Sequence, residues 1–284
     1  MKAQIDQAEG ANSRGLIYVA WGDKCLAEAA ESARHAKSVG GYPCALVADE
    51  TASVDSVFDH VIRRPLAHNY RDKILMCLSP FQDTIFLDSD TRVVASLEPL
   101  FALFRRFDLF AQPATGGVHY TVGDVPILAF PEISAGVIGF RRNNRVQRFF
   151  ELWDSIYDKV EREQGEGAWD QRSLRAAAWE SDVRLTYISH EWQCCTYFGN
   201  ILLTDVKIFH GRGIALDRLA AMANAHLDYR FVLPGIGYLP LYMTTTRQYA
   251  RFTLALLRAT AKRGLRRALH YSGVWRLPTN QRPM

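Results

Sequence analysis

Short apolar runs, bounded by polar or turn-forming residues, recur along the first hundred residues of the chain. Residues 16–20 and 45–48 are continuously apolar, which is typical of strands that are buried on both faces of a sheet. A third run, residues 84–87 (T-I-F-L), leads directly into an acidic triplet. A further strand is predicted at residues 60–63.

Helical spacing fills the intervals between these runs. The alanine-rich segment 27–38 predicts a helix that ends at the Gly40-Gly41 pair. Residues 71–78 predict a second helix, stopped by Ser79-Pro80. Later strands are predicted at 109–111, 137–140 and 184–188, and later helices at 145–163 and 171–179. The alternation of strands and helices indicates an α/β fold, with a mainly parallel central sheet flanked by helices.

The segment 112–132 breaks this pattern, because it contains three glycines and three prolines among polar residues. Long loops in compact α/β domains are usually lids or binding loops. The sequence therefore predicts a lid here, with an inert surface loop as the alternative.

Composition excludes several classes of protein. With 284 residues, 48% hydrophobic and 23% charged, the chain is neither disordered nor collagen-like nor a coiled coil. No apolar run approaches the roughly 18–20 residues of a membrane span, and the polar start shows no secretory signal. Five cysteines without C-x-x-C spacing are typical of reduced thiols, and they predict a cytoplasmic protein.

The net charge of +4 conceals a division of the chain. Residues 243–284 hold nine Lys or Arg and no acid, which leaves 25 basic and 30 acidic residues in the body, 1–242. We therefore expect one globular domain followed by a basic amphipathic helical tail. Such a tail suits an anionic membrane surface, here the inner face of the plasma membrane, although a helix packed on the body is the alternative. The acidic body argues against nucleic-acid binding.

The triplet Asp88-Ser89-Asp90 follows the third apolar run directly. Ligands of open α/β sheets bind outside the carboxyl ends of the strands. Two carboxylates separated by one residue can both face one divalent cation, which would relieve their mutual repulsion and hold a diphosphate. The alternative is a solvated turn in which one aspartate caps a helix.

The segment 70–94, Y-R-D-K-I-L-M-C-L-S-P-F-Q-D-T-I-F-L-D-S-D-T-R-V-V, resembles the core of GT-A-fold glycosyltransferases. It is similar in particular to the retaining enzymes of family eight, which include bacterial lipooligosaccharide galactosyltransferases and glycogenin. The resemblance covers roughly residues 15–215 through a few short motifs. It implies a GT-A fold, a sugar-nucleotide donor, and a manganese or magnesium ion held against the diphosphate.

The resemblance also implies roles for individual residues. Asp88, Asp90 and His210 would hold the metal, and Asp88 would also contact the donor ribose. The imidazole of His210 favours Mn²⁺ over Mg²⁺. The further donor-binding positions are Ala20, Gly22 and Asp49 near the base, and Arg71, Lys73, Ser89, Ser134, Gly136, Gly211 and Arg212 around the diphosphate and the sugar.

Two of these positions depart from the family pattern. Ser134 stands where asparagine is commonest, so the donor sugar is left open. The Lys-Pro-Trp that often follows the late histidine is missing, and Arg212 would supply the positive charge instead.

Asp170 and Gln171 resemble the family's Asp-Gln pair near the anomeric carbon, and they are the candidate catalytic residues. Without the resemblance, Asp170 is a natural N-cap for the helix that follows it. His190 and Trp192 lie in a polar and aromatic stretch that would stack on an acceptor sugar or pack in the core.

The resemblance implies transfer of a hexose from a UDP-hexose to a glycan or lipid-linked acceptor, with retention of configuration. A departing phosphate oxygen would then take the acceptor proton. If the enzyme inverts, Asp170 is the leading candidate for the base.

Three other classes of protein are alternatives. A phosphatase of the haloacid-dehalogenase type expects Asp-x-Asp-x-Thr, but Thr91 comes one position early. A sugar-nucleotide-forming nucleotidyltransferase needs a glycine-rich basic loop after the first strand, which residues 21–24 do not match. A non-catalytic glycan- or nucleotide-binding relative stays open, although the intact Asp88, Asp90 and His210 favour catalysis.

Overall fold

The computed structural model describes residues 13–114, 122–127, 129–212 and 216–225, the backbone of 230–233 and 237–240, and the single positions 254, 257 and 261. The strands are β1 (Arg14–Val19), β2 (Cys44–Ala48), β3 (His60–Arg63), β4 (Asp83–Leu87), β5 (Thr91–Val93), β6 (Leu109–Pro113), β7 (Ile133–Arg141), β8 (Leu185–Tyr187), β9 (Cys194–Cys195), β10 (Asn200–Leu202), β11 (Ile208–His210), β12 (Arg230–Leu233) and β13 (Gly237–Pro240). The helices are α1 (Gly22–Gly40), α2 (Glu98–Leu103), α3 (Asn144–Gln164), α4 (Asp170–Glu180) and α5 (Leu216–Ala223), with 3₁₀ helices at Tyr70–Leu78 and His190–Trp192.

Seven strands form the central sheet, in the order β3-β2-β1-β4-β7-β6-β8. The pairs β1 with β2, β1 with β4, β2 with β3, and β6 with β8 are parallel. Only β7 within this sheet runs antiparallel to its neighbours, β4 and β6. The prediction of an α/β fold with a mainly parallel central sheet is confirmed.

Strand β1 is buried on both faces of the sheet, which explains why its sequence is almost entirely apolar. Ile17 and Val19 face one core, which contains residues of α3 and α4, and Leu16 and Tyr18 face the other, which contains residues of α1 and α2. Because helices cover both faces of the sheet, neither set of alternating side chains meets water. The predicted double burial is confirmed.

The predicted helix 27–38 lies within α1, which ends at Gly41 in a left-handed conformation (φ 64°), with its N–H bonded to the carbonyl oxygen of Lys37. The helices predicted at 145–163 and 171–179 correspond to α3 and α4. The segment predicted as a helix at 71–78 is a 3₁₀ helix, Tyr70–Leu78.

Two smaller sheets were not predicted from the sequence. One has the order β5-β11-β9 and the other β10-β12-β13. Strands of two to four residues carry too little periodicity to be recognised from sequence alone. The first of these sheets is important for the site, because β5 begins directly after the acidic triplet and places Thr91 opposite His210 of β11.

Several predicted features lie outside the described residues. Residues 115–121 and 128 of the predicted lid are among them, as is almost all of the predicted tail, 243–284. Leu254 and Leu257 of the tail are helical and exposed. Within the described part of the chain, no helix combines the length and the apolar character needed to cross a membrane.

Candidate active site

Asp88, Asp90 and His210 come together beyond the carboxyl end of β4. One ligand atom from each of them lies within 4.8 Å of the other two. His210 Nε2 is 3.2 Å from Asp90 Oδ1 and 3.5 Å from Asp88 Oδ2. The antiparallel pairing of β5 with β11 carries the histidine to the carboxylates from far along the chain. The three predicted metal ligands are therefore assembled in one place; we call them the acidic cluster.

A glycine on β7 makes room for this cluster. The carbonyl oxygen of Gly136 accepts a hydrogen bond from the backbone N–H of Asp88 at 2.9 Å. A Cβ at Gly136 would lie 2.5 Å from the His210 ring, which is closer than real Cβ contacts allow. Gly136 therefore helps to position the histidine as well as the aspartate.

The amide of Gln193 ties the imidazole to the predicted donor-sugar segment. Its Oε1 accepts from the backbone N–H of Val137 at 3.1 Å, and its Nε2 donates to Ser134 Oγ at 2.5 Å. The same Nε2 lies 3.4 Å from His210 Nδ1. Gln193 was not recognised from the sequence, where it follows the stretch that was considered for acceptor binding.

The positive charge of His210 offsets part of the negative charge of the aspartates in the acidic cluster. Burial by itself lowers the pKa of His210, but its interactions with Asp90 and Cys195 together outweigh this and raise the pKa to about 10. Burial by itself raises the pKa of Asp90, and His210 reverses this and holds the pKa well below its usual value. The imidazole of His210 and the carboxylate of Asp90 therefore favour each other's charged forms.

Lys73 connects the acidic cluster to a second buried carboxylate. Its Nζ lies 2.9 Å from Asp88 Oδ2 and 3.9 Å from Asp170 Oδ2. Burial by itself lowers the pKa of Lys73, yet the charges of Asp88 and Asp170 raise it well above its usual value. The ammonium therefore stays charged and joins the two regions.

Asp170 is 1% exposed, and its Oδ2 has no hydrogen-bond partner among the described residues. Burial raises the pKa of this carboxyl to about 6, against the attraction of Lys73. The helix-cap alternative is wrong, because the N-cap of α4 is Trp169 and Asp170 is already the first helical residue. Gln171 follows it, partly buried, on the first turn of α4.

Arg212 also reaches this region but is held by an acid of α1. Its Nε lies 3.0 Å from both carboxylate oxygens of Glu28, and its Nη2 lies 2.7 Å from Glu28 Oε2. Nη2 also donates to Ser89 Oγ at 3.3 Å. Ser89 and Arg212 were both predicted as donor-binding residues, and they are in contact; Glu28 was not recognised.

Gly211 has a conformational reason to be glycine. Its φ is 141°, and a Cβ would lie 1.9 Å from Thr196 Oγ1. Its N–H, which was expected to approach a phosphate, donates to the Asp90 carbonyl oxygen at 3.0 Å. This amide is therefore engaged in holding the backbone of the cluster.

Tyr197 makes a further contact to the acidic cluster, which was not predicted from the sequence. Its hydroxyl donates to Asp90 Oδ2 at 3.3 Å and accepts from the backbone N–H of Arg212 at 2.7 Å. One side chain thus joins a cluster carboxylate to the segment that follows His210.

No protein-family model and no curated protein sequence matches this chain. Among solved structures, an active-site mutant of LgtC matches with a TM-score of 0.51 and 12% identity, over 71% of this chain and 88% of its own. At this identity the likeness establishes the fold. The chain has the GT-A fold.

Two other solved structures are similar to it. The apo form of mouse xyloside xylosyltransferase 1 matches with a TM-score of 0.47 and 14% identity, over 70% of this chain and 98% of its own. The glycosyltransferase GlyE of Streptococcus pneumoniae TIGR4 matches with a TM-score of 0.46 and 14% identity, over 63% of this chain and 46% of its own.

The parallel strands of this GT-A sheet bring the predicted base-binding positions to one edge. Ala20 follows β1, Asp49 follows β2 and Asp88 follows β4, and the carboxyl ends of parallel strands lie on the same side of a sheet. Gly22 has φ 69°, and no atom of the described residues lies within 4 Å of where its Cβ would be. Open space at Gly22 permits the close approach that was predicted for it.

A histidine that was not predicted joins this edge. His68 Nε2 lies 2.8 Å from Asp49 Oδ2, and its ring stacks on Trp21 with the centroids 6.3 Å apart. His68 also has φ 57°, an uncommon conformation for a residue other than glycine. The carboxylate of Asp49 is therefore already hydrogen-bonded.

Arg71 is not brought to the acidic cluster. Its guanidinium pairs with three acids of α3, at 2.8 Å from Asp154, 2.5 Å from Asp158 and 3.6 Å from Glu161. Helical residues two positions apart do not share a face, so Arg71 and Lys73 point in different directions. Of the two basic residues predicted here, it is Lys73 that contacts the cluster.

The residues considered for acceptor stacking are engaged elsewhere. His190 Nδ1 accepts from the backbone N–H of Ile201 at 3.2 Å. Trp192 is partly buried against the core that contains α1 and α2. The packing alternative is the one observed for Trp192.

Proposed function

We propose that this protein is a metal-dependent glycosyltransferase that moves a hexose from a UDP-hexose to a glycan or lipid-linked acceptor. The observation that carries the proposal is the acidic cluster, whose three ligand atoms lie within 4.8 Å of one another at the carboxyl end of β4. Ligands of open α/β sheets bind at that edge. The fold shared with LgtC supports the proposal. The choice of UDP and the retention of configuration rest on the motifs that resemble family eight.

The donor set fits a divalent cation. Two carboxylate oxygens are hard ligands, and the imidazole of His210 suits Mn²⁺ better than Mg²⁺, which prefers oxygen. His210 would bind through Nε2, the atom that faces both aspartates, while Gln193 orients the ring from the Nδ1 side. When bound, the ion supplies a Lewis acid that neutralises the negative charge of the departing nucleoside diphosphate.

Two side chains add positive charge where the diphosphate would lie. Lys73 is fixed beside Asp88. Arg212 lies 3.9 Å from Asp90 and reaches Ser89, and its forked guanidinium suits two phosphate oxygens. Binding of a diphosphate would exchange part of its contact with Glu28 for phosphate oxygens. Arg71 is proposed as a donor contact of lesser weight, because the acids of α3 already balance its charge.

Asp170 would accept a hydrogen bond from a hydroxyl of the donor sugar. Its Oδ2 is buried and has no hydrogen-bond partner among the described residues, whereas buried polar atoms are almost always hydrogen-bonded. In a retaining reaction the acceptor proton passes to a departing phosphate oxygen, so no protein base is needed. Asp170 then only binds the donor sugar, and Gln171 lies beside that sugar. In an inverting reaction Asp170 would instead be the base, since a group with a pKa of about 6 is ionised at neutral pH. The anomeric configuration of the product, read by NMR, separates the two cases.

A thermal-shift panel tests the proposal. The protein is melted with UDP, GDP or ADP, each with and without Mn²⁺. We expect a rise in Tm that needs both UDP and the cation, because the diphosphate binds through the ion. The proposal is contradicted if no nucleotide shifts Tm, or if the shift is the same after chelation of all divalent ions.

The tail, 243–284, is proposed to hold the enzyme on an anionic membrane. Leu254 and Leu257 are 50% and 62% exposed, and the segment carries no acid. The full chain should bind phosphatidylserine vesicles at low salt and release them at high salt. Replacing Arg258 and Lys262 together by glutamate should weaken this binding. Binding that ignores both salt and these substitutions would contradict the electrostatic account.

A further inference from the structure

Trp169 is a large aromatic residue that the fold leaves 42% exposed, although it lies beside the most buried carboxylate of the site. Its indole stacks on the ring of Tyr70, with the centroids 5.9 Å apart and the planes within 6° of parallel. A single exposed aromatic residue is common on protein surfaces, so the place of Trp169 directly before Asp170 and its stacking on Tyr70 matter more than its exposure.

The backbone that carries Trp169 is held in place. The Tyr157 hydroxyl donates to the carbonyl oxygen of Ala168 at 2.6 Å, and the N–H of Gly167 donates to Glu161 Oε1 at 3.3 Å. On the other side of Trp169, α4 begins at Asp170. An indole with fixed flanks and two side-chain torsions loses little conformational entropy when a ligand covers it.

The aromatic pair lies at the edge of the proposed reaction centre. Trp169 precedes Asp170 in the chain. The Oδ2 of Asp170, which has no hydrogen-bond partner among the described residues, is the proposed contact for the donor sugar. Tyr70 begins the 3₁₀ helix that also carries Lys73. Burial raises the pKa of Tyr70, and the charge of Asp170 raises it further.

We propose that Trp169, supported by Tyr70, is the platform on which a pyranose ring of the acceptor stacks, so that the acceptor is a glycan. One face of a pyranose presents C–H bonds of slightly positive charge, which pack well on the negative face of an indole. The proposal rests on the proposed function and deepens it by naming the class of acceptor. It also replaces Trp192, which packs in the core.

The chain offers a matched control in Trp179. This residue lies at the other end of α4 and is 43% exposed, almost the same as Trp169. Its ring contacts Phe130 and adjoins none of the site carboxylates named above. A variant at Trp179 therefore removes an equally exposed indole from the same helix without touching the platform.

Saturation-transfer difference NMR on the full chain tests the platform with methyl β-D-glucopyranoside and methyl β-D-galactopyranoside as probes. We expect signals from the ring C–H protons with the wild type and with Trp179→Ala. Trp169→Ala should reduce them about tenfold, and Trp169→Tyr should restore most of the loss, since an aromatic face is worth about that factor in affinity. Equal signals in Trp169→Ala and Trp179→Ala, or no signal from either sugar with the wild type, would overturn the proposal.

The Mn²⁺-dependent shift with UDP is measured on the same variants, so that the two proposals can fail separately. We expect the shift to be unchanged in Trp169→Ala. If the sugar signals depend on Trp169 while UDP and Mn²⁺ never shift Tm, the platform stands and the transferase proposal fails. If the shift is intact and the signals ignore Trp169, the reverse holds.

Discussion

The two acidic regions joined by Lys73 are built in opposite ways. In the acidic cluster, Asp90 has His210 and Tyr197 as hydrogen-bond partners, and Asp88 has Lys73. Asp170 is buried more deeply than Asp88 and Asp90, but one of its oxygens has no hydrogen-bond partner among the described residues, and Lys73 Nζ lies 3.9 Å from it. The pKa values differ accordingly, since that of Asp90 is lowered and that of Asp170 is raised to about 6.

This difference in charge balance bears on the kind of ligand that each region would bind. A cluster whose charges are already balanced is stable as it stands, and an incoming cation must displace a proton and share ligands. A buried carboxylate without full compensation lowers stability, and groups perturbed in this way are common at ligand-binding sites. We therefore propose that the first region binds a cation and the second binds a sugar.

The largest effect is expected from Asp90→Ala. Transfer that depends on Mn²⁺ should fall by about 10³-fold or more, because the principal ligand and the charge that balances His210 are both lost. The Mn²⁺-dependent thermal shift with UDP should disappear, while the circular dichroism spectrum stays native. Asp182→Ala, which removes an exposed carboxylate that pairs with Arg148, is the control and should keep both properties. Normal turnover by the Asp90 variant would refute the metal assignment.

Asp170→Asn should be the next largest and should separate the two regions. The amide keeps the shape of the carboxylate but does not accept in the same way, so transfer should fall by about 10²-fold. Binding of UDP with Mn²⁺ should persist, since the acidic cluster is untouched. A loss of nucleotide binding equal to the loss of transfer would mean that the two regions act as one.

The same variant should be more stable than the wild type at pH 8. An acid whose folded pKa lies above its unfolded value lowers stability at pH values above the folded pKa. This penalty decreases as the pH falls through the folded pKa and vanishes only below the unfolded pKa. With a folded pKa of about 6, the penalty relieved is about 3 kcal/mol at pH 8. The Tm difference between Asp170→Asn and wild type should thus be positive at pH 8 and shrink towards pH 5.

Asp108 provides the opposite control. Its hydrogen bonds from Arg184 lower its pKa to about 2, so its contribution to stability is present above the unfolded pKa and lost only in strong acid. Asp108→Asn should therefore lower Tm by an amount that is constant between pH 5 and 8. A pH-independent rise in Tm for Asp170→Asn would show that its gain comes from something other than charge burial.

The smallest effect is expected from Tyr197→Phe. Loss of one hydroxyl removes a contact to Asp90 and one to the backbone of Arg212. The apparent Kd for Mn²⁺ in the presence of UDP should rise by about three- to tenfold, since a hydrogen bond to a charged group contributes on this scale. The wild-type Kd in this variant would mean that Tyr197 does not position Asp90.

Much of the framework was predictable because its signals are local. The apolar runs at β1, β2 and β4 need only their neighbours in the chain to show burial on both faces, and the triplet after β4 is contiguous. Helices α3 and α4 have enough turns for their periodicity to be seen. The short strands β5, β9 and β11, which form around the acidic cluster, have too few residues for a periodic pattern to be seen.

The partner of each charged side chain was harder to predict from the sequence than the framework. Arg71 and Lys73 look equivalent in sequence, yet the acids of α3 take the first and Asp88 takes the second. Arg212 is held by Glu28, which lies on a helix near the start of the chain. Such pairings depend on which elements pack together.

The sequence by itself determined the α/β alternation, the strand that ends at Asp88, and the residue types able to hold a divalent cation, since these depend on chain neighbours and side-chain chemistry. Only the tertiary structure decided that His210 meets Asp90, that Lys73 lies between two carboxylates, and that Asp170 keeps a free oxygen. The physical reason is that charge balance and burial are properties of the space that several distant segments enclose, and no single segment carries them.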